Sequence, residues 1–161
     1  MASRLSTFTS SIIAVDPGGT TGLAFWTEPG EYPHFEQVRR ERQIRLEMLE
    51  DIRTWAAELG SDLTIVCETY TITQRTSKLS QQTDALKIIG VLEYFAHVYG
   101  PRIVMQSPAD AKRFATDARL KAADMWTPTK GGHANDANRH LFVYLVKHGL
   151  LNIGEIDARR D

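Results

Sequence analysis

Four polar side chains stand where the surrounding pattern calls for apolar ones. Asp16 closes the apolar run "SSIIAV", Glu68 closes "DLTIVC", and His133 with Asp136 opens the segment "HANDANRHLFVYLVKHG". Singly, each has an ordinary explanation: Asp16 caps a turn, Glu68 begins a loop, and Asp136 meets the positive end of a helix. Together they form a set with a shared chemistry. If the strands ending at Asp16 and Glu68 lie parallel and adjacent, both carboxylates emerge at the carboxyl edge of a sheet, where open α/β sheets bind their ligands. His133 and Asp136 are three positions apart and so share a helix face that can meet those acids. Converging carboxylates repel one another unless a cation intervenes, and hard oxygen donors suit Mg²⁺ or Mn²⁺. Two such ions about 4 Å apart can hold a phosphodiester, one activating water and the other stabilising the leaving oxygen.

Such a set needs elements that bring it together. Ile12 to Val15 reads as a buried strand, and the turn Pro17-Gly18-Gly19 returns the chain into a second strand, Thr21 to Thr27, as an antiparallel hairpin. After a loop, "TEPGEYP", the polar stretch "HFEQVRRE" reads as a third strand at the sheet edge. From Arg42 to Leu59 the spacing turns helical, with Ile44, Met48, Ile52, Trp55 and Leu59 on one face and Gly60 as terminator. Asp62 to Glu68 is nearly all apolar, as in a central strand covered on both faces. Asp84 to Tyr99 is a helix whose apolar positions exceed one stripe, so it packs on its sheet and also on a neighbouring helix or a second copy of the chain. "RIVMQ" is the fifth strand, and Ser107, Pro108 and Asp110 make a helix start. The remainder is helical, interrupted by "TPTKGG" at Thr127 to Gly132. The expected fold is a single α/β domain: a five-stranded mixed sheet, an antiparallel meander extended by parallel strands, flanked by helices, with short flexible ends at about 1–9 and 152–161.

The bulk properties narrow the class. A chain of 161 residues, 42% hydrophobic and 24% charged, suits one ordinary globular domain. No stretch approaches the roughly 18 to 20 apolar residues of a membrane span. The first residues, "MASRLSTFTSSIIAV", are too weakly apolar for a secretory signal, so a cytoplasmic location is expected. Cys67, the lone cysteine, sits in "LTIVCE" and reads as a buried thiol without a disulfide. A net charge of −1 argues against coating nucleic acid by bulk charge and leaves local basic stretches: Arg75 with Lys78, and Lys112 and Arg113 through Arg119 and Lys121 to Lys130.

The motifs also carry a family resemblance. "IAVDPGGTTGLAFW", "IVCE", "SPADAKRFAT" and "HANDA" resemble, in order and from about Ile12 to Val146, the RuvC-type Holliday junction resolvases of the ribonuclease H-like nuclease superfamily, especially those carried by bacteriophages. The resemblance implies that Asp16, Glu68 and Asp136 bind metal, with His133 in the fourth position as a ligand or a carrier of the water's proton. It implies two Mg²⁺ ions per site, with Mn²⁺ as a substitute, and a homodimer that nicks a four-way DNA junction symmetrically, with the helix from Asp84 to Tyr99 as its interface. It also implies a DNA-probing loop holding Tyr70, Arg75 and Lys78, and phosphate contacts at Lys112 and Lys121. Tyr70 either stacks on an unpaired base at the branch or anchors the loop base. His140, one turn beyond Asp136, reads as structural, and His34, His97 and His148 match no motif.

Two features depart from the family pattern: the low net charge and a tail, "GEIDARRD", that is balanced rather than basic. The alternative is therefore a broader flap or branched-DNA nuclease, or one acting on RNA:DNA hybrids. The hairpin also resembles the phosphate-binding turn of actin-like ATPases, which need a second large domain to close over nucleotide. A branch-binding module without catalysis would have little use for acids that repel the DNA backbone.

Overall fold

The computed structural model describes residues 10–27, 31–38, 42–70, 82–128 and 130–159. Among these residues, five strands build one sheet: β1 (Ser11–Asp16), β2 (Thr21–Thr27), β3 (Glu31–Val38), β4 (Leu63–Glu68) and β5 (Arg102–Gln106). Their spatial order is β3-β2-β1-β4-β5. The first three form the antiparallel meander, with Asp16 opposite Gly22. β4 runs parallel to β1, and β5 parallel to β4 with Glu68 opposite Gln106.

Two helices separate the later strands, α1 (Arg42–Leu59) and α2 (Gln82–Tyr99). Four more follow β5: α3 (Pro108–Phe114), α4 (Asp117–Ala122), α5 (His133–Lys147) and α6 (Ile153–Ala158). Side chains alternate across a strand with a period of two, and that alternation divides the core. Ile13, Val15, Leu23, Leu63, Ile65 and Cys67 pack beneath α1 and α2, with Met48, Ile52, Ile88 and Leu92. Ile12, Ala14, Ala24 and Val66 face the other way, toward Leu141, Phe142 and Leu145 of α5. The same parity assigns Asp16, Gly22, Glu68 and Gln106 to the α5 side.

Several expected details hold. Ser107 caps α3 by accepting from the Asp110 amide, and Pro108 takes the first helical position. Cys67 is a free, buried thiol, and burial pushes its pKa up to about 12. Some boundaries differ: β1, β4 and α2 are each shifted by a residue or two, and two segments differ more. β3 runs from Glu31 to Val38, earlier than expected at both ends, and contains Pro33, which an edge strand tolerates. Residues 152–159, expected within a flexible end, hold α6, which Asn152 caps and buried Ile156 anchors. Arg119 adds a two-pronged contact to Asp157 at 2.9 and 2.8 Å.

Candidate active site at the carboxyl edge of the sheet

Position comes first. α5 crosses the edge where β1 and β4 end, and its start is set by Gly131 and Gly132, whose φ values of +92° and +76° lie in the left-handed region. Gly22 on β2 lets it approach. A Cβ at Gly22 would stand 1.9 Å from the carbonyl oxygen of His133, so only glycine fits under this turn. The helix then presents His133, Asp136 and His140 on one face, at relative positions 0, 3 and 7.

Asp16 is only 8% exposed at the end of β1. Its Oδ2 accepts from Nδ1 of His133 at 2.9 Å. Burial raises the pKa of the Asp16 carboxyl above its ordinary value, the nearby charges of Glu68 and Asp136 raise it further, and the His133 hydrogen bond only partly offsets them. His133 is shifted the same way, its hydrogen bond to Asp16 being the main cause. The raised value at Asp16 comes first from burial, with the charges of Glu68 and Asp136 adding to it beyond what His133 offsets.

Glu68 and Asp136 are also engaged. Nε2 of His140 donates to Glu68 Oε2 at 2.9 Å. Asp136 faces Lys112, whose Nζ lies 3.3 Å from Oδ2. Arg139 Nε is 3.3 Å from Asp136 Oδ1, a charge contact without hydrogen-bond alignment, while its Nη1 donates to the Ala115 carbonyl at 3.2 Å. Among the described residues no three His, Cys, Asp or Glu side chains are gathered closely enough to hold an ion as they stand. Each acid leans on its own positively polarised partner instead, and a cation would take over that role. The donor set, three carboxylates and an imidazole, fits a hard divalent ion.

Of the expected nucleic-acid contacts, Lys112 joins the acid cluster through Asp136. Tyr70 is half-buried just beyond β4, where the Thr69 amide donates to the Gln106 carbonyl at 2.8 Å. Arg75 and Lys78 fall outside the described residues. Lys121 sits over the ring of Trp126, 5.2 Å from its centroid. Three contributors escaped the sequence reading: Gly22, Gln106 and the part played by His140. The seven-residue spacing of His133 and His140 was the available signal for the last.

A mixed sheet in this strand order, flanked by helices on both faces, has the ribonuclease H-like α/β fold. No protein-family model matches the chain, and no curated protein sequence matches it. Solved structures do match. RuvC of Thermus thermophilus in complex with a Holliday junction substrate superposes with a TM-score of 0.58 at 14% identity, covering 87% of this chain and 96% of that one. Thermus thermophilus RuvC by itself gives 0.54 at 16% identity, over 86% and 96% of the two chains. A Fowlpox virus resolvase with Holliday junction DNA gives 0.50 at 14% identity, over 88% and 99%. Within the ribonuclease H-like class, the chain has the RuvC-type fold.

Proposed function

We propose that this chain is a divalent-metal-dependent endonuclease that cuts four-way DNA junctions, working as a homodimer in which each copy nicks one strand. One observation carries the reading: Asp16 and Glu68 end adjacent parallel strands at one edge of the sheet, His133 of α5 bonds Asp16 there, and the Asp16 carboxyl feels the charge of both Glu68 and Asp136. Support comes from the fold, which is similar to that of resolvases solved with Holliday junction DNA.

Asp16, Glu68, Asp136 and His133 would hold Mg²⁺, or Mn²⁺ in its place, as a pair of ions in the substrate complex. Bound there, the ions supply an activated water and a counter-charge for the leaving oxygen. The remaining work belongs to the chain. Where His133 is not itself a ligand, its partly exposed ring would instead accept or return a proton beside the scissile phosphate, its proton affinity raised by Asp16. Lys112, released from Asp136 when a cation arrives, offers its ammonium to the DNA backbone. Lys121 does the same beside Trp126, and Tyr70, Arg75 and Lys78 meet the branch point.

The test sets labelled four-way junction, flap, duplex and RNA:DNA hybrid side by side with Mg²⁺, and includes ATP as a substrate. Junction cutting should occur, stop in EDTA, and be lost in Asp16→Asn and Asp136→Asn proteins that still bind the junction. ATP turnover without DNA cutting would overturn the reading, as would parental cutting by Asp136→Asn. Equal cutting of flaps and junctions would widen the substrate class to branched DNA.

A further inference from the structure

His140 is 1% exposed, and both of its ring nitrogens are committed. Nε2 lies 2.9 Å from Glu68 Oε2, and Nδ1 lies 3.1 Å from Gln106 Oε1. These two partners are register neighbours, ending the adjacent parallel strands β4 and β5. A carboxylate only accepts, so the proton on the Glu68 side must belong to Nε2. On the other side, Gln106 can turn either end of its amide toward Nδ1, so the ring stays held in one orientation whatever its charge.

The contact is the second of a pair. His133 grips Asp16 at the end of β1, and His140, two turns along the same helix face, grips Glu68 at the end of β4. One helix therefore sets the carboxylates of two strands. With Oε2 tied to His140, Glu68 can turn only its remaining lone pairs toward the edge.

We infer that His140, oriented by Gln106, is a positioning residue: it aims the Glu68 carboxylate so that Oε1 is presented to the divalent ion. This rests on the metal-dependent reading of the site. A carboxylate so restrained loses less freedom when it takes an ion, and removing such outer partners typically weakens metal affinity about 10- to 100-fold.

The test titrates Mn²⁺ alone into the full chain by calorimetry, for wild type, His140→Ala, His140→Gln and Gln106→Ala, with thermal unfolding as the folding check and Mg²⁺-dependent junction cutting recorded separately. His140→Ala should bind Mn²⁺ about 10-fold more weakly and need correspondingly more Mg²⁺ for half-maximal cutting, while junction binding in EDTA stays within about twofold. The Gln side chain returns an N–H donor to Glu68, so His140→Gln should recover most of the affinity. Gln106→Ala should give an intermediate loss. If His140→Ala does not fold, the contrast between His140→Gln and Gln106→Ala still decides the matter. Unchanged Mn²⁺ affinity in the folded His140 and Gln106 variants, beside a wild type that binds and cuts, would overturn this role alone. A wild type that neither binds Mn²⁺ nor cuts would instead bring down the metal-dependent reading.

Discussion

Asp16 carries an electrostatic cost that its removal should reveal. Its native carboxyl holds a proton more tightly than the unfolded chain's, so its contribution to stability falls as pH rises from the ordinary value of 3.8 toward the raised native one. Above that window the cost is fully present. Asp16→Asn keeps an oxygen that can accept from His133 and removes the buried charge, so in EDTA at neutral pH it should melt about 2 to 4 °C higher, the shift expected for ~1 kcal/mol in a chain of this size. Mg²⁺ should then raise the melting temperature of wild type and leave the variant unmoved; differential scanning fluorimetry reads both. His133 adds a second pH dependence. Its native pKa is raised, so its contribution is complete below 6.5 and is lost as pH climbs through the native value. His133 therefore makes the metal-free site hold a proton that a cation must displace. Mn²⁺ affinity should rise with pH across neutrality, with net proton release visible as a dependence of calorimetric heat on the buffer's ionisation enthalpy. A flat affinity between pH 6 and 8 would count against His133 as a member of the site.

At the scale of elements, the seat of α5 on β2 decides whether these side chains meet at all. A methyl group at Gly22 would collide with the carbonyl oxygen of His133 at 1.9 Å, and backbone stands on both sides of the clash. Gly22→Ala should therefore cost about 3 kcal/mol or more in urea unfolding and abolish Mn²⁺ binding in the fraction that folds, because α5 shifts off Asp16. Much of this arrangement was legible in the chain. The apolar runs before Asp16 and Glu68 announced two buried strands, and an alternation of two then sends both acids to one face. Three-residue spacing placed Asp136 with His133. What escaped depended on contacts between elements distant in sequence: Gly22 looks like any turn glycine until α5 lies on it, and His140 looks like a packing residue until β4 and β5 bring Glu68 and Gln106 to its two nitrogens. In the tail, the Asn152 cap of α6 is a local signal, whereas the contacts of Ile156 and Asp157 with the body of the domain, which hold "GEIDA" in place, come from residues distant in sequence.

At the scale of the whole molecule, α2 has one face in the core and the other in solvent. Its inner face, Ala85, Ile88, Leu92 and Phe95, is buried in the domain, while Leu86, Tyr94 and Val98 remain 41%, 61% and 46% exposed. Leu86, Gly90, Tyr94 and Val98 recur every four residues, so they form one slowly winding stripe on a helix whose other face is already satisfied. Gly90 lies at its centre with nothing within 4 Å of the Cβ position, room that a second backbone could use. An apolar stripe of this kind is the surface a homodimer would bury. Tyr94→Glu with Leu86→Glu should turn a dimer into a folded monomer in sedimentation velocity, with the melting temperature of the isolated domain little changed, because neither side chain packs in the core. Gly90→Ala separates the two roles of the helix: within one chain it should stabilise α2 by up to about 1 kcal/mol, and across an interface the same methyl should weaken association. The functional readout follows from geometry. On the proposed reading, two active sites held together would cut a junction in paired fashion, whereas a monomer should release singly nicked junctions that accumulate before any second cut. A wild type that sediments as a monomer on junction DNA and still makes paired cuts would show that paired cutting needs no interface at α2.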